Sequence, residues 1–222
     1  MTHRFLDRKE AGNALARSLG RYRADANAIV LGLPRGGVPV AHEVATALGL
    51  PLDVLVVRKL GLPSQPELAM GAVASGGAMV LNEDVVRYLP PGSDAIERVK
   101  ARELQELGRR ERAFRGDRPA LQMRGRTGIL VDDGLATGAT MEAAVRALRS
   151  LHAARIVVAV PVASSEARER IAALADEVVC LQTPPFFSAV GQWYENFAQT
   201  EDAEVSDLLA RSPAQHSSGS AA

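Results

Sequence analysis

The sequence predicts an α/β fold, a central mostly parallel sheet flanked by helices with a smaller insert and hood region, and three observations predict it. Short apolar runs alternate along the chain with amphipathic helical patterns. The runs at 28–33, 127–131 and 156–160 are rich in Ile, Val and Leu without strict alternation, which marks strands buried on both faces and therefore covered by helices on both sides. A chain of 222 residues, 47% apolar and 4% aromatic, can bury one sizeable core, so a single domain over 1–210 is expected.

Taken in order, the first element is a helix over 8–19, ahead of a strand at 28–33. A helix at 38–48 follows. The apolar run 52–58 reads as the second strand. The alternation then lapses between residues 59 and 126. There 62–66 (Leu-Pro-Ser-Gln-Pro) is rich in turn formers, 69–81 suggests a small hairpin around Gly76-Gly77, and 93–114 is a long helix dense in charge. Regular alternation returns with a strand at 127–131, a helix at 140–151, a strand at 156–160, a helix at 165–175 and a strand at 178–181. The small, polar residues of 211–222 suit a disordered tail.

Composition removes several function classes. Lys plus Arg and Asp plus Glu are equal at 26 each, so no global field favours nucleic acid or an anionic membrane, and any anion site is local. On the helix at 93–114 arginines alternate with glutamates; this reads as a solvated face, with a basic arm for nucleic acid as the competing reading. No apolar segment has the form of a signal or a membrane span, so a cytoplasmic protein is expected. The single cysteine, Cys180, sits in the apolar run 178–181 and reads as a structural thiol. His3, His42, His152 and His216 lack metal-ligand spacing, and no Cys-His pair emerges.

The chemistry concentrates after the strand 127–131. Two adjacent carboxylates, Asp132 and Asp133, lead into Gly134-Leu-Ala136-Thr137-Gly138-Ala139-Thr140 at the start of a helix. Paired carboxylates accept hydrogen bonds from vicinal hydroxyls, while glycines and threonines at a helix N-terminus bring backbone N–H and hydroxyl donors to an anion. The reading is a sugar-phosphate cradle rather than an ordinary Asp-Gly turn. A second glycine-rich turn, Pro34-Arg35-Gly36-Gly37, follows the first strand and suits a pyrophosphate, with Arg35 able to fork onto its oxygens. It is neither a Walker loop nor a dinucleotide-binding turn. Alone it would pass for a plain turn; beside the acidic loop it is a second phosphate site. Arg58 and Lys59 leave the second strand as a cationic pair. Ligands of open α/β sheets bind outside the carboxyl ends of the strands, so all three pieces are expected on one edge.

The acidic loop, the Arg35 turn and the Arg58-Lys59 pair together resemble the type I phosphoribosyltransferases over roughly 28–182. The resemblance implies an Mg²⁺-dependent transfer of the 5-phosphoribosyl group from 5-phosphoribosyl-1-pyrophosphate (PRPP) to a nitrogenous base, with release of pyrophosphate. By position it assigns the ribose hydroxyls to Asp132 and Asp133, the 5-phosphate to the loop from Ala136 to Thr140, and the pyrophosphate to the turn from Pro34 to Gly37. It also implies a cis peptide at Pro34–Arg35. Mg²⁺ would be held largely by ligand oxygens and water, with Asp132 and Asp133 as the protein groups within reach. Arg35, Lys59, Asp132 and Asp133 are the residues expected to act on the reaction.

Family members also carry a lid and a hood. The segment 61–71 is the expected lid. The hood is expected at 183–200, where Phe186, Phe187, Val190 and Trp193 are candidate acceptor contacts, an aromatic cluster sealing the core edge being the alternative reading. The 6-oxopurine enzymes place an aspartate base where Ala136 stands here, which removes that route of deprotonation. The loop is closer to the adenine-type motif, so a purine-type acceptor is expected, although the carboxyl-terminal third does not match that enzyme. The rival reading is a regulatory protein of the same fold that senses PRPP or a nucleotide and contacts nucleic acid. A homo-oligomer is compatible with the sequence.

Overall fold

The computed structural model describes residues 3–63, 65–88 and 94–212. The tail expected to be disordered lies outside them from residue 213 onward.

Five of the apolar runs form one parallel sheet, in the order β2-β1-β6-β7-β8: β1 (Ala28–Gly32), β2 (Leu52–Val54), β6 (Thr127–Val131), β7 (Arg155–Val162) and β8 (Glu177–Gln182). Successive side chains of a strand point to opposite faces, and here each face meets its own helical layer. Val30, Ile129, Val131 and Val157 pack with α1 (Arg8–Ser18), α2 (Gly37–Leu48) and α7 (Asp202–Ala210). Ile29, Leu31, Leu130 and Val158 pack with α5 (Ala139–Ser150) and α6 (Ser165–Ala172). Continuous apolar strands are what such a two-sided core requires. Asp7 caps α1 by accepting from Glu10 N at 2.8 Å, and Ser164 caps α6 by accepting from Ala167 N at 3.1 Å.

The expected second strand, 52–58, is corrected. It is two strands in two sheets. β2 ends at Val54, and β3 (Val57–Leu62) pairs antiparallel with β4 (Gln65–Ala74), which pairs with β5 (Ala78–Leu81). The chain changes sheet where Ser75 captures Val56: Val56 N donates to Ser75 Oγ at 3.0 Å, and Ser75 N donates to Val56 O at 2.9 Å. The expected lid is therefore not an open loop but the end of the β3–β4 hairpin, paired down to Leu62 and Gln65 with irregular register around Gly61. Ser64 lies outside the described residues. The hairpin expected around Gly76-Gly77 is β4–β5, and it is followed by the short helix α3 (Glu83–Val86).

The long helix is α4 (Ala95–Arg115), and its charges do two jobs. Arg98 with Asp94, and Arg109 and Arg110 with Glu106, form exposed pairs near the helix surface. Glu103 and Arg115 instead turn inward, to Arg58 on β3 and Asp53 on β2, and fasten the helix to both sheets. Among the described residues, no helix is long and apolar enough to cross a membrane.

Candidate functional site

β1 and β6 are parallel neighbours in register, Gly32 opposite Val131, so the turns that leave their carboxyl ends start side by side. Leu33 N donates to Val131 O at 2.9 Å and carries that pairing into the first turn. The turn of residues 33–36 opens α2, and the loop of residues 132–138 opens α5. They touch so closely that only glycine fits between them. A Cβ on Gly36 would lie 2.1 Å from Asp133 Oδ2, and one on Gly37 would lie 2.7 Å from Val131 O and 2.8 Å from Asp132 Cα. The Pro34–Arg35 peptide is cis.

The acid pair is largely enclosed. Asp132 Oδ1 accepts from Asp133 N at 2.9 Å, and Asp133 Oδ2 accepts from Arg8 Nε at 2.9 Å, with Nη2 of that arginine paired to the same oxygen at 2.9 Å. Burial pushes Asp132 well above the usual carboxylate range, with the neighbouring Asp133 charge adding to it. Burial also raises Asp133, and Arg8 opposes that rise. A carboxyl held up in the folded chain binds a proton that the unfolded chain has already lost, so stability present below the ordinary carboxylate range is lost as pH rises through the folded value. Asp132→Asn should therefore raise Tm at pH 8 by about 2–4 °C, the effect of about 1 kcal/mol in a chain of this size, and should flatten the decline of Tm with pH. Thermal melts from pH 4 to 9 check this; an equal or steeper decline in the variant would contradict it.

The rest of the acidic loop is braced from α6. Ser164 Oγ donates to Ala136 O at 2.8 Å, and Arg170 Nη1 reaches Thr137 O at 3.4 Å. Ala136, Thr137 and Thr140 stay exposed, while Gly134 and Gly138 are buried. Thr137 Oγ1 accepts from Ala139 N at 3.4 Å, at the first turn of α5.

Of the cations, Arg35 stands beside the acidic loop and points its Nη1 at the start of α7, 3.5 Å from Asp202 Oδ1 and 3.9 Å from Glu201 Oε2. The expectation that Arg58 and Lys59 leave a strand of the parallel sheet is corrected, because β3 belongs to the other sheet. Arg58 is fully engaged there, its Nε and Nη2 on Glu103 Oε2 at 2.9 and 2.6 Å. Lys59 is exposed and looks across a cleft of about 690 Å³ whose far wall includes Ala139 and Glu142 of α5.

The aromatic segment folds against the N-terminus, a contribution that spacing along the chain could not reveal. Phe5 N donates to Trp193 O and Glu195 N donates to Phe5 O, both at 2.8 Å. Tyr194 is buried between Phe5 and Phe197, at centroid distances of 5.7 and 5.0 Å, and its hydroxyl donates to Asp133 O at 2.6 Å. Val190 covers Gly134, where a Cβ would come within 2.7 Å of its Cγ1. Phe187 stacks on Trp193 at 6.4 Å, whereas Phe186 is 86% exposed. Val190 thus touches the acidic loop directly, and Tyr194, one residue after Trp193, holds that loop's backbone. Cys180 lies aside: its Sγ donates to Gln182 O at 3.1 Å, and burial pushes the thiol up, away from a reactive thiolate.

Residues 4–198 match the family model described as "Phosphoribosyl transferase domain". Two Mycobacterium tuberculosis proteins, each bearing the name "Putative phosphoribosyl transferase", are 52% identical over 207 residues, which is 93% of this chain and 46% of theirs. The chain spans about half the length of these relatives. The crystal structure of TT1426 from Thermus thermophilus is similar at a TM-score of 0.84 and 48% identity, covering 93% of this chain and 97% of that one.

Proposed function

The chain belongs to the phosphoribosyl transferase family, and from that premise we propose that it moves the 5-phosphoribosyl group of PRPP to a nitrogenous base of purine type, releasing pyrophosphate. One observation supports this above all: two glycine-rich turns leave adjacent parallel strands and pack so tightly that Gly36 abuts Asp133. Such an arrangement supports reading the first turn as a pyrophosphate turn and the acid pair as diol-binding, since both lie at the sheet edge where α/β folds bind ligands.

In this reading Asp132 and Asp133 accept hydrogen bonds from the ribose hydroxyls, and the loop from Ala136 to Thr140 holds the 5-phosphate. The turn from Pro34 to Gly37 holds the pyrophosphate, for which Arg35 exchanges Asp202 and Glu201 for ligand oxygens. A base nitrogen attacks C1 while the C1–O bond to pyrophosphate breaks. The protein contributes position and charge complementarity rather than a covalent intermediate. Two enclosed carboxylates are hard oxygen donors that suit Mg²⁺, and Asp132 and Asp133 are the residues that would hold it together with ligand oxygens and water. When bound, the ion neutralises charge on the leaving group. Phe186, Phe187, Val190 and Trp193 are proposed to line the acceptor side.

The β3–β4 hairpin carries Lys59 beside the cleft that faces α5, and it is proposed to close over bound PRPP. Amide exchange at residues 61–71 should slow when PRPP and Mg²⁺ are both present, and slow less in Lys59→Ala. Equal exchange with and without ligand would withdraw the closing motion.

The activity itself is tested by incubating the protein with PRPP, Mg²⁺ and a panel of purine, pyrimidine and pyridine bases while following pyrophosphate. Release that depends on one class of base is expected. Tight PRPP binding with no release for any base would favour a sensing role.

A further inference from the structure

Arg8 occupies the first position of α1, where the positive end of the helix dipole disfavours a cation. Its guanidinium is nevertheless held on three sides. Nε donates to Asp133 Oδ2 at 2.9 Å with Nη2 at the same distance in the ion pair, Nη1 donates to Ala198 O at 2.7 Å, and the Phe197 ring lies 4.0 Å from its central carbon. The side chains of Arg8 and Asp133 are each only 13% exposed, so the pair is shielded from solvent screening. Both nitrogens lie against the same oxygen, and Asp133 Oδ1 receives no contact from Arg8.

We infer that Arg8 is a positioning residue of the phosphoribosyl site, clamping one oxygen of Asp133 so that the other faces the ribose and tying that clamp to the segment 194–198. The inference rests on the ribose-binding reading of Asp133 given above. It assigns to the N-terminal helix a part in a site otherwise built from two strand-to-helix turns.

The charged and titratable groups around Asp133 give the clamp a measurable consequence. Asp132 faces it from the same loop, Tyr194 donates its hydroxyl to the Asp133 backbone, and the neighbouring turn sends Arg35 to Asp202 and Glu201. Arg8 is thus the cation in direct contact with the Asp133 carboxylate among the described residues. Its removal leaves the enclosed Asp133 carboxylate without the group that fixes its orientation. A carboxylate no longer held in place is a poorer acceptor for ribose hydroxyls, so affinity falls for ligands that carry the ribose.

The test is calorimetric titration of PRPP with Mg²⁺, and of pyrophosphate with Mg²⁺, at a single pH on the full chain, Arg8→Met, Arg8→Lys, Asp133→Asn and the Arg8→Met, Asp133→Asn double variant. Arg8→Met is expected to lose about tenfold in affinity for PRPP and little for pyrophosphate, which lacks the ribose. Arg8→Lys, which keeps the charge without the fork, is expected to lose only a few-fold for PRPP. In the Asp133→Asn background the Arg8→Met change should have little further effect.

If Arg8→Met lowers affinity for PRPP and pyrophosphate equally, or if its effect persists undiminished beside Asp133→Asn, the residue acts only through folding and the inference is overturned. Should Arg8→Met fail to fold, Arg8→Lys decides: an unchanged affinity would overturn the clamp. Failure of the unsubstituted chain to bind PRPP would instead remove the phosphoribosyl reading, and the clamp with it.

Discussion

Asp132→Asn combined with Asp133→Asn is expected to weaken PRPP binding by about two to four orders of magnitude while the chain remains folded. Each carboxylate contributes a hydrogen bond to a ribose hydroxyl, and bonds to charged groups are worth about 1.5–3 kcal/mol each. Folding should survive because both side chains project from the end of β6 rather than into its core, and because the buried charges are themselves costly. Asparagine keeps the shape and the Oδ1 acceptor that receives Asp133 N. Calorimetric titration of the folded double variant measures the loss. An unchanged affinity would discard the ribose assignment, whatever the protein's activity.

The second large effect is on stability. Arg115 Nε and Nη2 meet Asp53 Oδ1 and Oδ2 at 2.8 and 2.9 Å, with side chains only 8% and 3% exposed. Asp53 Oδ1 also accepts from Val54 N at 2.8 Å, so the carboxylate organises the end of β2 as well as the end of α4. Arg115→Met leaves a buried carboxylate without its cation and should cost about 3–5 kcal/mol. Arg115→Met with Asp53→Leu should recover much of that, since an apolar pair in place of a buried ion pair is often neutral. Urea denaturation of the single and double variants tests the pair. A loss below about 1 kcal/mol in the single variant would mean that water reaches Asp53 and that the clasp contributes little.

What was legible in the sequence and what was not follow from the range of the interactions involved. The strands β1, β6 and β7 could be read because a strand buried on both faces must be apolar throughout, β8, a half-buried edge strand, by its apolar run 178–181, and the turns at 34–37 and 132–140 because two turns packed this tightly need glycine in particular places. The division of 52–62 into β2 and β3 was not readable, since the run is apolar on either side of the break and the switch depends on the hydroxyl of Ser75, 19 residues from Val56. The role of Glu103 and Arg115 was hidden within a helix whose alternating charges look solvated, and only tertiary packing separates the inward pair from the outward ones. Helix α7 is short and buries just Val205 and Leu209, too sparse a pattern to mark it. Arg8 lies 125 residues from Asp133 and carries no local signal that would join them. Tyr194 stood among the aromatics of the expected hood, yet nothing in the spacing distinguished the ring that holds the acidic loop from those that stack on each other.

The central claim is that the turns of residues 34–37 and 132–140 form one PRPP site. Nuclear magnetic resonance of the ¹⁵N-labelled chain, titrated with PRPP and Mg²⁺ and then with ribose 5-phosphate alone, tests it most directly. PRPP should move the amides of both segments together, with the largest shifts at Gly36, Gly37, Gly138 and Ala139, and ribose 5-phosphate should move those of 132–140 much more than those of 34–37. Shifts confined to other parts of the surface, or amides of the two turns that stay in place at saturating PRPP, would contradict it.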